Sequence, residues 1–257
     1  MTVAIVTGAA SGMGRACVES LRPLADAIVA VDLKEPEIDG TVGVACDVSD
    51  PSAVAALVDR VRELGPFRAL AHAAGISPVM ADARRVFEVD LVGTQLILDG
   101  FEGLVTTGSA AVCFSSIAAY QIAPYVTAEQ DVLIDGPLKP GFCDQAAAAA
   151  ANDSGLAYSL AKRGVIRACG RAAVRWGKRG GRVNSLAPGL IDTPMGHAEF
   201  AKQPAMKPMF DATPLGRFGE SEEVAAAVAF LLSDAASFIS GIDLPVDGAV
   251  LQGMAAS

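Results

Sequence analysis

The chain is poor in the residues that most often carry metal or disulfide chemistry. Its 257 residues include five cysteines, Cys17, Cys46, Cys113, Cys143 and Cys169, and two histidines, His72 and His197. The cysteines are odd in number, widely spaced and without a C-x-x-C pair, which fits reduced core thiols better than disulfides or zinc. Neither histidine has a ligand partner at metal spacing, so no metal site is expected. Basic residues are also scarce. Against 29 Asp and Glu there are only 20 Lys and Arg, a formal charge of -9, which opposes a phosphate backbone and argues against a nucleic-acid partner. No apolar run reaches the ~18 residues of a membrane span, and the start Thr2-Val3-Ala4-Ile5-Val6 lacks the basic flank of a signal peptide. The chain reads as a soluble cytoplasmic protein with no membrane partner. Aromatic residues make up 5% of it and apolar residues 52%. The core must then be built from Ala, Val, Leu and Ile, as buried parallel strands under helices require.

Open α/β sheets routinely run past ~200 residues as one unit. Strand and helix patterns alternate here from end to end without a linker or repeat. Residues 1-257 are therefore read as a single domain, an α/β doubly wound, Rossmann-type fold with a seven-stranded parallel sheet and helices on both faces. The strands are expected at Val3 to Thr7, Ala27 to Val31, Val42 to Ala45, Ala69 to Ala73, Ala111 to Phe114, Arg182 to Leu186 and Ile242 to Val246. One helix should be capped by Asp50 with Pro51 at its first position. A second should run from about Asp82 to Gly100, and the run Ala146 to Ala151 also reads as helix. Ligands of such sheets bind beyond the carboxyl ends of the strands, so residues following each strand face one crevice.

Two stretches in that crevice carry chemistry. The first strand runs into Gly8-Ala9-Ala10-Ser11-Gly12-Met13-Gly14 before a helical segment beginning at Arg15. Glycines at a strand-to-helix turn let the backbone approach a pyrophosphate, whose charge then sits on the unpaired amides of the helix N-terminus. The second strand ends in Asp32, eighteen positions after Gly14, where a dinucleotide fold places the acid that grips the adenosine ribose. An acid there repels a 2′-phosphate, and neither Leu33 nor Ser11 offers it a basic group, so NAD is favoured over NADP. The other stretch is Leu156-Ala157-Tyr158-Ser159-Leu160-Ala161-Lys162. In a helix it places a phenol and an ammonium on one face, one turn apart. A phenol ordinarily ionises near pH ~10. A neighbouring fixed cation favours the phenolate and should lower that value, which would let Tyr158 act as a general acid or base.

Taken in order, Thr7-Gly8-x3-Gly12-x-Gly14, Asp32, Asp47-Val48, Ala73-Ala74-Gly75, the strand-end Ser116, Tyr158-x3-Lys162, Asn184-x3-Pro188-Gly189 and the closing Val246-Asp247-Gly248 resemble the short-chain dehydrogenases/reductases. The resemblance spans nearly the whole chain and implies an NAD-dependent oxidoreductase. It makes Tyr158 the proton donor or acceptor, and Lys162 its helper and the holder of the nicotinamide ribose. Ser116, the second of the pair Ser115-Ser116, would hydrogen-bond the substrate oxygen, leaving Ser115 a structural part. Gly8, Ser11, Gly12, Met13 and Gly14 would form the pyrophosphate turn, with Asp32 and Leu33 beside the adenosine ribose and Asp47 and Val48 at the adenine. Ala74, Gly75, Pro188, Gly189, Ile191 and Thr193 would complete the cofactor site. Asp47 is equally readable as a turn residue. The family also implies a homo-oligomer, a dimer or tetramer.

Two departures matter. Where the family commonly reads V-N-x-x-G, this chain has Val89-Asp90-Leu91-Val92-Gly93. Asp90 could accept the asparagine's hydrogen bonds within the catalytic set, but a charge on it would strengthen the Lys162 ammonium and oppose a phenolate on Tyr158. A displaced pH optimum or an inactive protein could follow. The second departure is spacing. Tyr158 lies 42 positions after Ser116, where the family has about a dozen residues, so roughly 30 are inserted. A similar insertion is familiar from the branch resembling bacterial 3α-hydroxysteroid dehydrogenase/carbonyl reductase. The insert, about Ala119 to Ser154, either caps the site or alters the dimer surface. The second is expected, with association passing to the C-terminal strand and helix, about Ser221 to Val246.

A substrate loop is expected over 190-215. Met195, Phe200, Met206, Met209 and Phe210 lie in it, about half of them as ordinary packing and the rest facing a greasy ligand. An apolar, alicyclic or steroid-like secondary alcohol or its ketone is the first choice, and a hydroxyacyl thioester stays open. The competing class is an NAD-binding regulatory protein without turnover. Intact Ser116, Tyr158 and Lys162 favour the enzyme, and Asp90 leans the other way.

Overall fold

The computed structural model describes residues 1-256. Seven strands, β1 (Val3–Thr7), β2 (Ala27–Asp32), β3 (Val42–Ala45), β4 (Phe67–His72), β5 (Ala110–Phe114), β6 (Arg182–Pro188) and β7 (Asp243–Val246), make one parallel sheet in the order β3-β2-β1-β4-β5-β6-β7. The doubly wound architecture follows from period-two burial on both faces. Val3, Ile5, Val29 and Val31 pack with residues of α2 (Pro51–Leu64), α4 (Gly93–Glu102) and α8 (Ser154–Gly177), while Ala4, Val6, Ile28 and Ala30 pack with those of α1 (Gly12–Leu21) and α11 (Ser221–Leu232). With water excluded from either side, small branched residues suit every position.

Several bounds differ from the sequence expectation. β4 starts at Phe67, whose ring lies 5.4 Å from Phe101 and 5.8 Å from Trp176, a long-range contact that strand propensity does not encode. It ends at His72, although the Ala73 N–H still donates to the Thr7 carbonyl at 3.2 Å. β6 runs on to Pro188, where the missing N–H costs no ladder bond because the Pro188 carbonyl accepts from Ile117 and Gly189 donates to Val246. The helix expected over 82-100 is α3 (Ala83–Val86), a π-turn at Phe87–Val92, and α4. Asp90 sits in that widened turn, and Thr94 Oγ1 donates to its carbonyl at 2.7 Å.

The insert folds as α5 (Ala118–Ile122), α6 (Ala128–Ile134) and α7 (Phe142–Ala149). The alanine run does not stay helical to its end. Ala151 and Asn152 take φ of 52 and 55°, reversing the chain so that the Asp153 carboxylate can cap α8 by accepting the Leu156 N–H at 2.7 Å. The insert lies along α8. Ile134, Phe142, Ala146 and Ala147 bury against Phe87, Leu91, Leu160 and Ala161. Arg163, Arg167 and Arg171, one turn apart on α8, hold Asp131 and Asp135 of this segment, with Arg163 bidentate at 2.7 and 2.8 Å. These pairs are partly exposed and contribute modestly, so the apolar cluster does more to hold the insert down. All five cysteines are free thiols. No helix among the described residues is long and apolar enough to cross a membrane.

Candidate active site

The carboxyl ends of β1, β2, β4, β5 and β6 open onto one cleft of about 610 Å³. At the adenosine end it is made largely of backbone. Gly8 has φ of +70°, and a Cβ on it would lie 2.8 Å from the Ala74 nitrogen; a Cβ on Gly14 would lie 2.0 Å from the Gly8 carbonyl oxygen. The first turn of α1 therefore presses on the end of β1, leaving a cradle of amides at a helix N-terminus that only glycine permits, and this fits a pyrophosphate. Asp32 braces the turn by accepting from the Ala10 and Leu33 N–H groups at 3.0 and 2.8 Å. Each of its oxygens keeps a lone pair for ribose hydroxyls. Leu33, 65% exposed, walls that end.

Asp47 fits both readings given to it. It forms a turn, accepting from the Ser49 N–H and hydroxyl at 2.9 and 2.6 Å, and it lines the cleft, where Arg85 donates to its other oxygen at 2.9 Å. Burial raises its carboxyl, but Ser49 and Arg85 outweigh that and hold it below the usual carboxylate value. Ser11, Gly12, Met13, Val48, Ala74, Gly75, Pro188, Gly189, Ile191 and Thr193 line the same cleft. The structure thus brings every expected cofactor residue to one surface.

At the far end side chains take over. Ser115 Oγ donates to Asp243 at 2.7 Å, and the Tyr120 hydroxyl donates to the other oxygen of that carboxylate at 2.8 Å. Ser115 is thus tied to β7, although it also lines the cleft. Ser116 Oγ accepts from the Ala118 N–H at 3.2 Å, and Ser116 and Tyr158 line the cleft together. Lys162, 6% exposed, donates to the Phe114 carbonyl at 3.2 Å, with its nitrogen 5.5 Å from the Tyr158 ring centroid and 3.7 Å from Asp90 Oδ1.

This arrangement corrects the expected tuning of the phenol. Burial pushes Tyr158 above the usual tyrosine value, and the charges of Glu199 and Asp90 push the same way, while the nearby Ser116 hydroxyl pulls down. The Lys162 ammonium is committed to the Phe114 carbonyl and leans toward Asp90, so in the protein alone it does not win. Asp90 does not line the cleft. It is wholly buried one layer behind Gly75, with Oδ1 accepting from the Ile76 N–H at 2.9 Å and Oδ2 without a hydrogen-bond partner in the protein. Burial raises its carboxyl, and Lys162 and the Ile76 amide only partly oppose this. A proton on Oδ2 would leave Asp90 neutral, as an asparagine is.

Behind it runs a buried chain of hydroxyls and imidazole. Thr94 spends its proton on the Asp90 carbonyl, so His72 Nε2 must donate to Thr94 Oγ1 (3.1 Å) and Nδ1 must accept from Thr7 Oγ1 (2.8 Å). Burial, helped by the charge of Lys162, pushes His72 down to about 3, so it stays neutral.

The lid over the far end splits the residues assigned to it. Met195, Met206 and Met209 line the cleft, whereas Phe200 and Phe210 pack on each other and on Phe218 with centroids 5.1 to 6.1 Å apart. Sequence reasoning missed Glu199, on α9 (Pro194–Lys202), which also lines the cleft. Its position one helical turn after Met195 was the available signal.

Comparison with known proteins agrees with this geometry. The family model described as enoyl-(acyl carrier protein) reductase matches residues 8–130 and 143–250, leaving out only the middle of the insert between them. The chain is 36% identical to cis-4-hydroxycyclohexanecarboxylate dehydrogenase of Sinomonas cyclohexanicum, covering 96% of this chain and 95% of that one. It is 32% identical to D-threitol dehydrogenase of Mycolicibacterium smegmatis, covering 96% and 91%. The crystal structure of the 3-alpha-hydroxysteroid dehydrogenase from Pseudomonas sp. B-0831 complexed with NADH superposes with a TM-score of 0.81 at 31% identity over 98% of both chains. The chain belongs to the short-chain dehydrogenase/reductase family. Membership makes it a nicotinamide-dependent oxidoreductase, and with an acid at Asp32 the cofactor is NAD(H).

Proposed function

We propose that this protein interconverts a secondary alcohol and a ketone on an apolar, alicyclic or steroid-like substrate, with Tyr158 as the general acid/base. The observation that carries the proposal is that Ser116 and Tyr158 line one methionine-walled pocket, with the Lys162 nitrogen 5.5 Å from the phenol ring centroid. Gly8, Gly12 and Gly14 would hold the pyrophosphate, Asp32 the adenosine ribose, and Lys162 with the turn at Pro188-Gly189 and Thr193 the nicotinamide end. When bound, NAD would supply the hydride acceptor or donor for the carbinol carbon.

The chain's own residues do the rest. Ser116, its oxygen bonded by the Ala118 amide, and Tyr158 offer two hydroxyls to the same cleft, and a substrate oxygen placed between them would accept from both. In the reductive direction Tyr158 gives its proton to that oxygen, and in the oxidative direction it must first be the phenolate. Because burial and two nearby acids raise the phenol, proton donation is the easier role near neutrality and the rate of alcohol oxidation should climb with pH. The raised Asp90 carboxyl belongs to the same balance, since a charge there would oppose the phenolate. We place Asp90 as a positioning residue for Lys162.

We also propose a homo-oligomer joined through the C-terminal edge. The insert occupies one flank of α8, while Phe230, Phe238 and Ile242 are exposed around the edge strand β7, Phe238 fully. Phe238→Asp should lower the assembly mass in light scattering, and an unchanged mass would remove that part. The functional reading is tested by following reduced-nicotinamide absorbance with NAD+ and NADP+ against cyclic secondary alcohols. Oxidation with a preference for NAD+ is expected. Tight NAD+ binding with no turnover across the panel would favour a regulatory protein instead.

A further inference from the structure

The substrate end of the cleft is lined mainly by apolar side chains, with the amides of Gln121 and Gln203 and a single acid, Glu199. Ser77 is fully buried, its hydroxyl accepts from the Val79 N–H at 3.3 Å, and it lies near enough to Glu199 to pull that carboxyl down. Glu199 lines the cleft from the same helix as Met195, close enough to Tyr158 for its charge to oppose the phenolate. The other carboxylates lining the cleft, Asp32 and Asp47, are committed to the adenosine end. The two cations lining it are also committed, Arg85 to Asp47 and Lys162 to the Phe114 carbonyl. Among the described residues, no other cation lines the cleft, and Glu199 is the one carboxylate at its substrate end.

We propose that Glu199 is a specificity-determining residue that accepts a hydrogen bond from a second hydroxyl group on the substrate, so that the substrate is an alicyclic diol or hydroxyketone. This rests on the alcohol/ketone reading above. An unpaired carboxylate facing a purely apolar ligand would lose its water without compensation. A hydroxy acid of the kind named for the Sinomonas enzyme would set two carboxylates against each other. An ammonium suits only the ionised acid and would sit near Lys162 and the oxidised nicotinamide ring. A hydroxyl both donates and accepts, and so pairs with Glu199 whether or not the acid carries a proton. The raised carboxyl of Glu199, caused by burial, makes that tolerance useful.

The test is kcat/KM with NAD+ for the cyclohexane-1,2-, 1,3- and 1,4-diols, cyclohexanol, 4-hydroxycyclohexanecarboxylate and 4-aminocyclohexanol, in the native enzyme, Glu199→Gln and Glu199→Leu. At least one diol should exceed cyclohexanol by about tenfold or more, because a site built to bond a hydroxyl rejects the analogue lacking it. That ratio should fall to near one in Glu199→Leu and be largely kept in Glu199→Gln, whose amide oxygen still accepts. In Glu199→Gln the hydroxy acid should also gain on the diol, since the like charge is gone. A native preference for cyclohexanol, the hydroxy acid or the amino alcohol would overturn the inference. So would a diol ratio untouched by Glu199→Leu, or a Glu199→Gln enzyme with the native hydroxy-acid ratio. Each of these leaves the dehydrogenase reading standing, whereas no reduction of NAD+ with any substrate removes both.

Discussion

The two ends of the cleft are built by different means. The adenosine end is contiguous backbone: Gly8 and Gly14 are dictated by close approach, and Asp32 is tied to the amides of Ala10 and Leu33. The substrate end is assembled from side chains on β5, α8, α9 and the loop after β4, whose charges set one another's protonation. A site made largely of amides depends little on the charge of its neighbours, while one made of coupled acids, a phenol and an ammonium has a chemistry that depends on each neighbour. Binding and turnover should therefore be separable by substitution.

Tyr158→Phe should separate them most sharply. It removes the proton shuttle, so turnover should fall by about 10²- to 10⁴-fold, while fluorescence titration should still show NADH binding. Turnover near the native rate would break the comparison. Gly14→Ala is the converse. Its Cβ would meet the Gly8 carbonyl at 2.0 Å, so overpacking of about 1 to 3 kcal/mol should appear as a roughly fivefold or larger loss of NADH affinity, and retained affinity would show that the turn can shift.

Asp90→Asn tests the coupling through pH. The folded Asp90 carboxyl titrates above its unfolded value of ~3.9. The stability it contributes is then complete below that pH and is lost as pH rises through the folded value. The asparagine variant lacks that loss. Its urea-unfolding free energy should gain on the native protein between pH 4 and pH 8, by roughly 1.4 kcal/mol for every tenfold by which folding weakens the Asp90 acid, and its pH-rate profile should be displaced. Matching profiles and a constant stability difference would remove Asp90 from the proton balance. The smallest effect is expected at the insert. Asp131→Ala with Asp135→Ala should cost about 1 kcal/mol, a few degrees in Tm, without altering NADH affinity.

What the sequence disclosed follows the same division. The seven strands, the glycine turn, Asp32 and the Tyr158/Lys162 pair were readable because each is local, set by period-two burial or by spacing within one turn. Even the choice of Ser116 over Ser115 agrees with the Ser115–Asp243 bond. The tuning of Tyr158 was misread because it depends on Glu199 and Asp90, 41 and 68 positions away. The direction of the Lys162 ammonium is set by the Phe114 carbonyl, which no spacing reveals. Phe67 opening β4 and the break of the alanine run at Ala151 were hidden likewise, being fixed by Trp176 and by the cap of α8.

The central claim is that one carbon of an alicyclic alcohol gives up its hydrogen to the bound nicotinamide while Tyr158 manages the hydroxyl proton. Cyclohexanols or cyclohexanediols carrying deuterium at the carbinol carbon test it directly, by mass spectrometry of the reduced cofactor. One deuterium should appear in NADH, with formation slowed relative to the protiated substrate and abolished in Tyr158→Phe. Unlabelled NADH, or label transfer that persists undiminished in Tyr158→Phe, would contradict it.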